Sequence, residues 1–200
     1  GQHRIVTPSG TKSIPNGSYR VSATEEDNYV EVSSDWRVST VEIVARVPNT
    51  AALELRNIND GTIVVEGVSG EMNLRNINGS ITVTDAASAI IAESINEDIR
   101  IGFTSLADVS ASSLTSVEGN LKVSLPDRSK AQLHIDTARG EISSAFEVDV
   151  VPSQPSVSRT DEGGEIEISV ENVIVANING GGPVIRLKTL NGDIQIDKLP

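Results

Sequence analysis

The sequence predicts an all-β chain wound as a right-handed parallel β-helix, or solenoid, with an N-terminal β cap, and three observations carry that expectation. One phrase returns along the chain with different residues in the same roles. Residues 56–65 read RNINDGTIVV, 75–83 read RNINGSITV and 189–196 read TLNGDIQI, with weaker copies at 68–74, 117–123 and 138–142. Each copy is an aliphatic residue, a small polar turn with glycine, then alternating apolar and polar residues. Such self-similarity marks a stacked repeat. Apolar residues also recur at period two, which turns one face of a strand to a core and the other to water. Finally, the spacers between strands run to about four residues, too short for the crossover helices of a βαβ sheet.

Taken in order, residues 1–48 read as the cap within a single domain spanning 1–200. Ile14, Pro15, Asn16, Gly17, Ser18 and Tyr19 form a turn, and residues 19–23 alternate as a short strand. Glu25, Glu26, Asp27 and Asn28 make a second polar turn before a strand at 29–32. Trp36 follows, and then a strand at 41–47 that ends at Pro48 and Asn49. Strands here would blunt the unpaired edge that a stacked coil exposes at its end. Repeats occupy 49–150. The expected inward pairs are Leu53 and Leu55, Ile63 and Val65, Met72 and Leu74, Ile81 and Val83, Ala89 and Ile91, and Ile99 and Ile101. Val109 and Ala111, Leu121 with Val123 and Leu125, Leu133 and Ile135, and Ile142 continue the series.

Residues 151–164 carry Pro152, Pro155, Gly163 and Gly164 and read as a loop excursion from the coil. Repeats resume over 165–200, with strands at 166–170, 184–187 and 194–196. An antiparallel β-sandwich is the alternative architecture. It needs no similarity between successive turns, whereas identical turns stack on one another, and this favours the coil.

Bulk composition narrows the function. Hydrophobic residues make up 38% and aromatic residues only 2%, so the interior must be filled by Ile, Val, Leu and Ala. A narrow coil can do that. Sixteen basic against 28 acidic residues leave a net charge of −12, and the basic residues are dispersed. That excludes nucleic acid as a natural partner, since a polyanion requires clustered Lys and Arg. With no cysteine there is no disulfide scaffold and no thiolate metal site. No apolar run approaches the roughly 20 residues of a spanning helix. The start, GQHRIV, has neither an initiator Met nor a signal peptide, as expected of an exported chain whose signal or anchor has been removed.

Residues 41–86 and the closing run GGGPVIRLKTLNGDIQI at 180–196 resemble the bacterial adhesin-type β-strand-repeat family, a domain of unknown function built from turn-plus-strand repeats. The resemblance spans roughly residues 41–200 and lies in the repetition. It implies a β-helix-like fold and an exported, cell-envelope setting. It carries over no catalytic residue. The copies at 84–96 and 104–114 are degenerate, and the 151–164 segment is this chain's own.

Candidate sites are each weighed against a structural role. Asn57, Asn59, Asn76, Asn78, Asn96, Asn177, Asn179 and Asn191 suit left-handed turn backbone and amide ladders between turns better than a sugar or metal strip. Gly180, Gly181 and Gly182 lack the Lys-Ser/Thr and helix of a phosphate loop. Asp60, Glu71, Glu97, Asp98 and Asp193 do not share a register that would build a calcium site. Outward carboxylates such as Glu54, Glu66 and Asp85 are the raw material of a polysaccharide-acting enzyme, but any acidic coil has them. His134, between Leu133 and Ile135, faces water, and His3 lies in a tail. Trp36, Tyr19 and Tyr29 suit a cap better than a ligand contact. The expectation is therefore a non-enzymatic envelope or cell-surface binding module with no catalytic residue, metal or cofactor and with a glycan or surface protein as partner. The alternatives are a self-assembling envelope scaffold and, third, a polysaccharide-acting enzyme.

Overall fold

The computed structural model describes residues 4–6, 21–34, 42–59, 61–152, 156–162, 165–171 and 173–199. Among them the chain is all β, with twenty strands and no helix. The chain divides into two compact units, Gly1–Pro48 and Asn49–Pro200.

The first unit contains β1 (Arg4–Val6), β2 (Val21–Glu26), β3 (Tyr29–Ser34) and β4 (Glu42–Val44). β1 pairs with β4 in parallel, and β2 with β3 as an antiparallel hairpin. The polar turn predicted at 25–28 closes that hairpin. Asp27 and Asn28 have φ of 50° and 63°, the left-handed pair that a two-residue hairpin turn requires and that Asp and Asn tolerate. The strand predicted over 41–47 is paired only over Glu42–Val44. The 14–19 turn and Trp36 lie outside the described residues.

The second unit holds β5 (Leu53–Asn57), β6 (Ile63–Glu66), β7 (Met72–Asn76), β8 (Ile81–Ala86), β9 (Ile90–Ser94), β10 (Ile99–Phe103), β11 (Ala111–Thr115) and β12 (Leu121–Leu125). Then come β13 (Ala131–Arg139), β14 (Ile142–Ser144), β15 (Val148–Val151), β16 (Ser156–Glu162), β17 (Glu165–Glu171), β18 (Ile174–Ile178), β19 (Val184–Asn191) and β20 (Ile194–Lys198). From β5 to β12 the chain alternates between two sheets. One has eight strands in the order β15-β18-β13-β19-β11-β9-β7-β5, the other six in the order β14-β20-β12-β10-β8-β6. Every pairing among β5 to β12 is parallel. One rung is thus a strand in each sheet joined by a short turn, and the next rung stacks on it.

Alternation places the apolar residues of both sheets on a shared interior. Leu74, Ile81, Ile90, Ile99, Leu114, Leu121, Leu133, Ile185, Leu187 and Ile194 are wholly buried. Each contributes about 1.5–3 kcal/mol by leaving water. Branched aliphatics fill this thin interior with little aromatic bulk; Phe103 is one of the few large rings inside.

Four expectations are corrected. Ala89 and Ile91 do not face inward: Ile90 and Ala92 do, and Ile91 is 46% exposed. In the run Ala89-Ile90-Ile91-Ala92 both parities look apolar, and the parallel register, Met72 opposite Ile90, decides between them. On β11 the inward residues are Ser112 and Leu114 rather than Ala111. The Ser112 hydroxyl accepts the Ile90 N–H at 3.1 Å, so it is tolerated in the core. Ile142 has core parity, opposite Ile194, yet is 38% exposed because β14 is the last strand of its sheet. The 151–164 segment is not simply a loop. β15 extends to Val151 on the edge of the large sheet, and β16 and β17 form an antiparallel hairpin of their own. The alternation at 166–170 therefore belongs to that hairpin and not to a rung.

The last repeats do not end the stack. β19 lies between β11 and β13, and β20 between β12 and β14, all in parallel. Six rungs follow in space, and the fifth of them is the C-terminal one.

Candidate binding face

The outward side chains of the six-stranded sheet fall into columns because the strands are in register. Val64, Thr82, Arg100, Lys122 and Gln195 stand next to one another on successive strands. Beside them run Glu66 with Thr84, and Gly102 with Ser124 and Asp197. Neighbouring strands lie about 4.8 Å apart, so polar groups recur at that step. Arg100 and Lys122 are adjacent like charges, and each has its own carboxylate: Arg100 pairs with Asp98, and Lys122 Nζ with Asp197 at 2.7 Å. Hydrogen bonding from Lys122 holds the Asp197 carboxyl below its usual range. Asp127 is likewise lowered by its hydrogen bond from Lys198 and by that cation's charge.

The eight-stranded sheet has a more charged outer face. Arg75 pairs with Glu93 at 3.3 Å and Lys188 with Asp136 at 2.9 Å. His134 points outward, half-buried, with Nε2 and Gln132 Oε1 3.0 Å apart, and Gln132 donates in turn to Asn177. Its bond is to a neutral amide, so no carboxylate orients it as a general base.

The corner where the large sheet turns into the small one carries the repeated phrase. Asn57 donates to Asn76 Oδ1 at 3.0 Å, and Asn76 to the Gly61 carbonyl at 2.8 Å. The same position on later rungs is Ser94, Ser116, Thr189 and Thr137. Ser94 donates to Gly79 O, Ser116 to Glu97 O, Thr189 to Gly119 O and Thr137 to Gly192 O. Every rung after the first thus satisfies a carbonyl of the rung before it. Glycine is required where the turns touch: a Cβ at Gly79 would collide with the Gly61 carbonyl. Asn96 donates to Asn78 at 2.6 Å and Asn191 to Glu118 at 2.8 Å farther out. Sequence reasoning finds the Asn members of this ladder and misses the hydroxyls. Aligning the turns on their glycines, N-I-N-G with S-V-E-G and T-L-N-G, is the signal that reveals them.

The other candidates are scattered by the fold. Glu54 lies on the large sheet, and Glu66 on the small one. Asp85, with φ 57°, sits at the irregularity where β8 and β10 shift register. Asp98 and Asp193 accept the N–H groups of Asn120 and Glu141 at 2.9 and 2.8 Å, as links between rungs. Among the described residues no three His, Cys, Asp or Glu side chains form a group that could hold a metal ion. Tyr29 is 63% exposed on its hairpin; Asp60, His3, Tyr19 and Trp36 lie outside the described residues. Gly180 and Gly181, with φ of 87° and 83°, belong to the loop from β18 to β19, which carries no helix for an anion. Among the described residues no helix is long and apolar enough to cross a membrane. Comparison of the chain with protein-family models, curated proteins and solved structures gives no match.

Proposed function

We propose that the second unit is a right-handed β-solenoid and that the chain is a non-enzymatic, exported module of the bacterial cell envelope, adhesin-like, engaging a glycan or a surface protein. The solenoid reading is supported by the alternation of strands between two in-register parallel sheets, and its hand by the general right-handedness of parallel crossovers. The observation that carries the functional reading is the outer face of the small sheet. Thr82, Thr84, Ser124 and Gln195 recur on a rigid frame at the strand spacing, suited to a repetitive ligand held by many weak contacts. Resemblance of the repeats to the adhesin-type family supports the exported setting.

Protease added to intact cells should cleave the native protein. Protection until the envelope is opened would overturn a surface role. Immobilised at high density, the protein should retain a member of a broad glycan and matrix-protein panel, and Thr82→Ala with Gln195→Ala should weaken retention while leaving melting unchanged. No retention from such a panel would contradict the binding reading.

A self-assembling scaffold is the second reading, favoured by one end of the stack. There β14 and β15 are edge strands, with Val148 and Val150 of core parity 36% and 64% exposed. Unpaired apolar edges recruit further strands. Light scattering that grows with concentration would support end-to-end stacking, and a strict monomer at high concentration would refute it.

A further inference from the structure

The C-terminal rung is placed where its position in the chain does not lead. β12 is followed by β13, yet these belong to rungs separated by a gap that β19 and β20 fill. The two walls of that gap are matched. Ser112, Ile185 and Leu133 are opposite one another, as are Leu114, Leu187 and Ile135, and Leu121, Ile194 and Ile142. The walls share one register, so with the segment withdrawn Leu133 would face Ser112 and Ile142 would face Leu121 with every inward residue still inward. The Gly119 and Gly140 turns would also stack, as each now stacks on Gly192. Opening the gap therefore breaks no parity on either side.

What enters the gap is a self-contained two-strand unit. Ile185, Leu187, Ile194 and Ile196 are wholly buried, and Thr189 donates to Gly119 O at 3.0 Å. Asp193 links both walls: its N–H donates to Asn120 Oδ1 and its carboxylate accepts from the Glu141 N–H, each at 2.8 Å. The unit is joined to β18, which pairs with the opposite edge of β13. The connection, residues 179–183, must pass over the start of β13. Asn179 donates there to the Ser129 carbonyl at 2.8 Å, and Asn179, Gly180 and Gly181 have φ of 49°, 87° and 83°. Three consecutive left-handed residues, an Asn and two glycines, make a tight and short hinge, and short hinge loops favour strand exchange.

We propose that the gap between β11/β12 and β13/β14 is an interaction site for the 184–198 segment of a second copy of this chain, giving strand-exchanged oligomers. The contacts made by the segment are the same in cis and in trans, so only the hinge and the association entropy separate the two states. Extension of the hinge carries the segment past its own gap. Dilution favours the closed monomer, and concentration favours the exchange. This site is distinct from the open outer edges of β14 and β15 and stands whether or not the chain is an envelope module.

The chain has no cysteine, so single reporters are clean. Ser113 on β11 and Arg186 on β19 are outward neighbours. Full-length Ser113→Cys and Arg186→Cys preparations are unfolded, mixed, refolded together at high concentration, diluted and treated with a short bismaleimide. Covalent heterodimer should exceed, by on the order of tenfold, that from an Arg186→Cys and Glu54→Cys mixture, which reports random collision. Yield equal to that control overturns the proposal. The Ser113→Cys/Arg186→Cys double variant, refolded dilute, should link within one chain; failure to do so would overturn the placement of the segment itself.

Discussion

Asn76 is 1% exposed, and its amide joins two successive turns by donating to Gly61 O and Ser80 O and accepting from Asn57. Asn76→Ala removes all three bonds of a buried amide, although Gly61 O keeps the Asn57 amide and Ser80 O the Ile63 N–H as donors, and should cost about 1–3 kcal/mol in urea unfolding. Asn96→Ala removes an exposed bond and should change stability by no more than about 0.5 kcal/mol. Lowered carboxylates give the acid response. The folded-state values of Asp127 and Asp197 lie below their ordinary ones, so their contribution is present above the unfolded-state value and is lost as pH falls through the folded one. Lys122→Gln with Lys198→Gln should therefore reduce the stability lost between neutral and strongly acidic pH, read by urea unfolding across that range. At this scale Asn57 and Asn76 were legible, because Asn before Gly names a turn. Ser94, Ser116, Thr189 and Thr137 were not, because a hydroxyl satisfied inside the fold has the same letter as one in water.

Strands with strict alternation were legible down to the face. Ile81 is wholly buried, while Thr82 beside it is half-buried on the outer face. Ile81→Asp should cost upwards of about 3 kcal/mol and Thr82→Asp less than about 1 kcal/mol in the same assay. Equal effects would refute the register. Where four apolar residues run together at 89–92, parity could not be read; only pairing with Met72 and Leu74 on β7 decides it. Ser112 was missed for the opposite reason, a polar residue at an inward position with a backbone partner to satisfy it. The 151–164 stretch reads as a loop because it carries two prolines and paired glycines, which hides β16, while β17 is legible as the alternation at 166–170. The backbone ladder of the β16–β17 hairpin is entirely its own. Replacing residues 153–172 by a short Gly/Ser turn should shift the melting temperature by no more than about 3 °C, measured by circular dichroism.

For the whole molecule, the sequence conveyed the rung but not the order of rungs. TLNGDIQI carries the same turn and the same alternation wherever it stacks, so nothing in its letters separates a terminal rung from an inserted one. Its place in the chain does not give its place in the stack; the pairings of β19 and β20 put it fifth of six. Nearest-neighbour contacts dominate such a stack, so removing an inner rung should hurt more than trimming an edge. The most direct test is nuclear Overhauser contacts across the small sheet in isotopically labelled protein. The fold predicts backbone contacts from Lys122 to Gln195 and from Gln195 to Ser143, with none between Lys122 and Ser143. Direct contact of Lys122 with Ser143, and Gln195 on an outer edge, would contradict it.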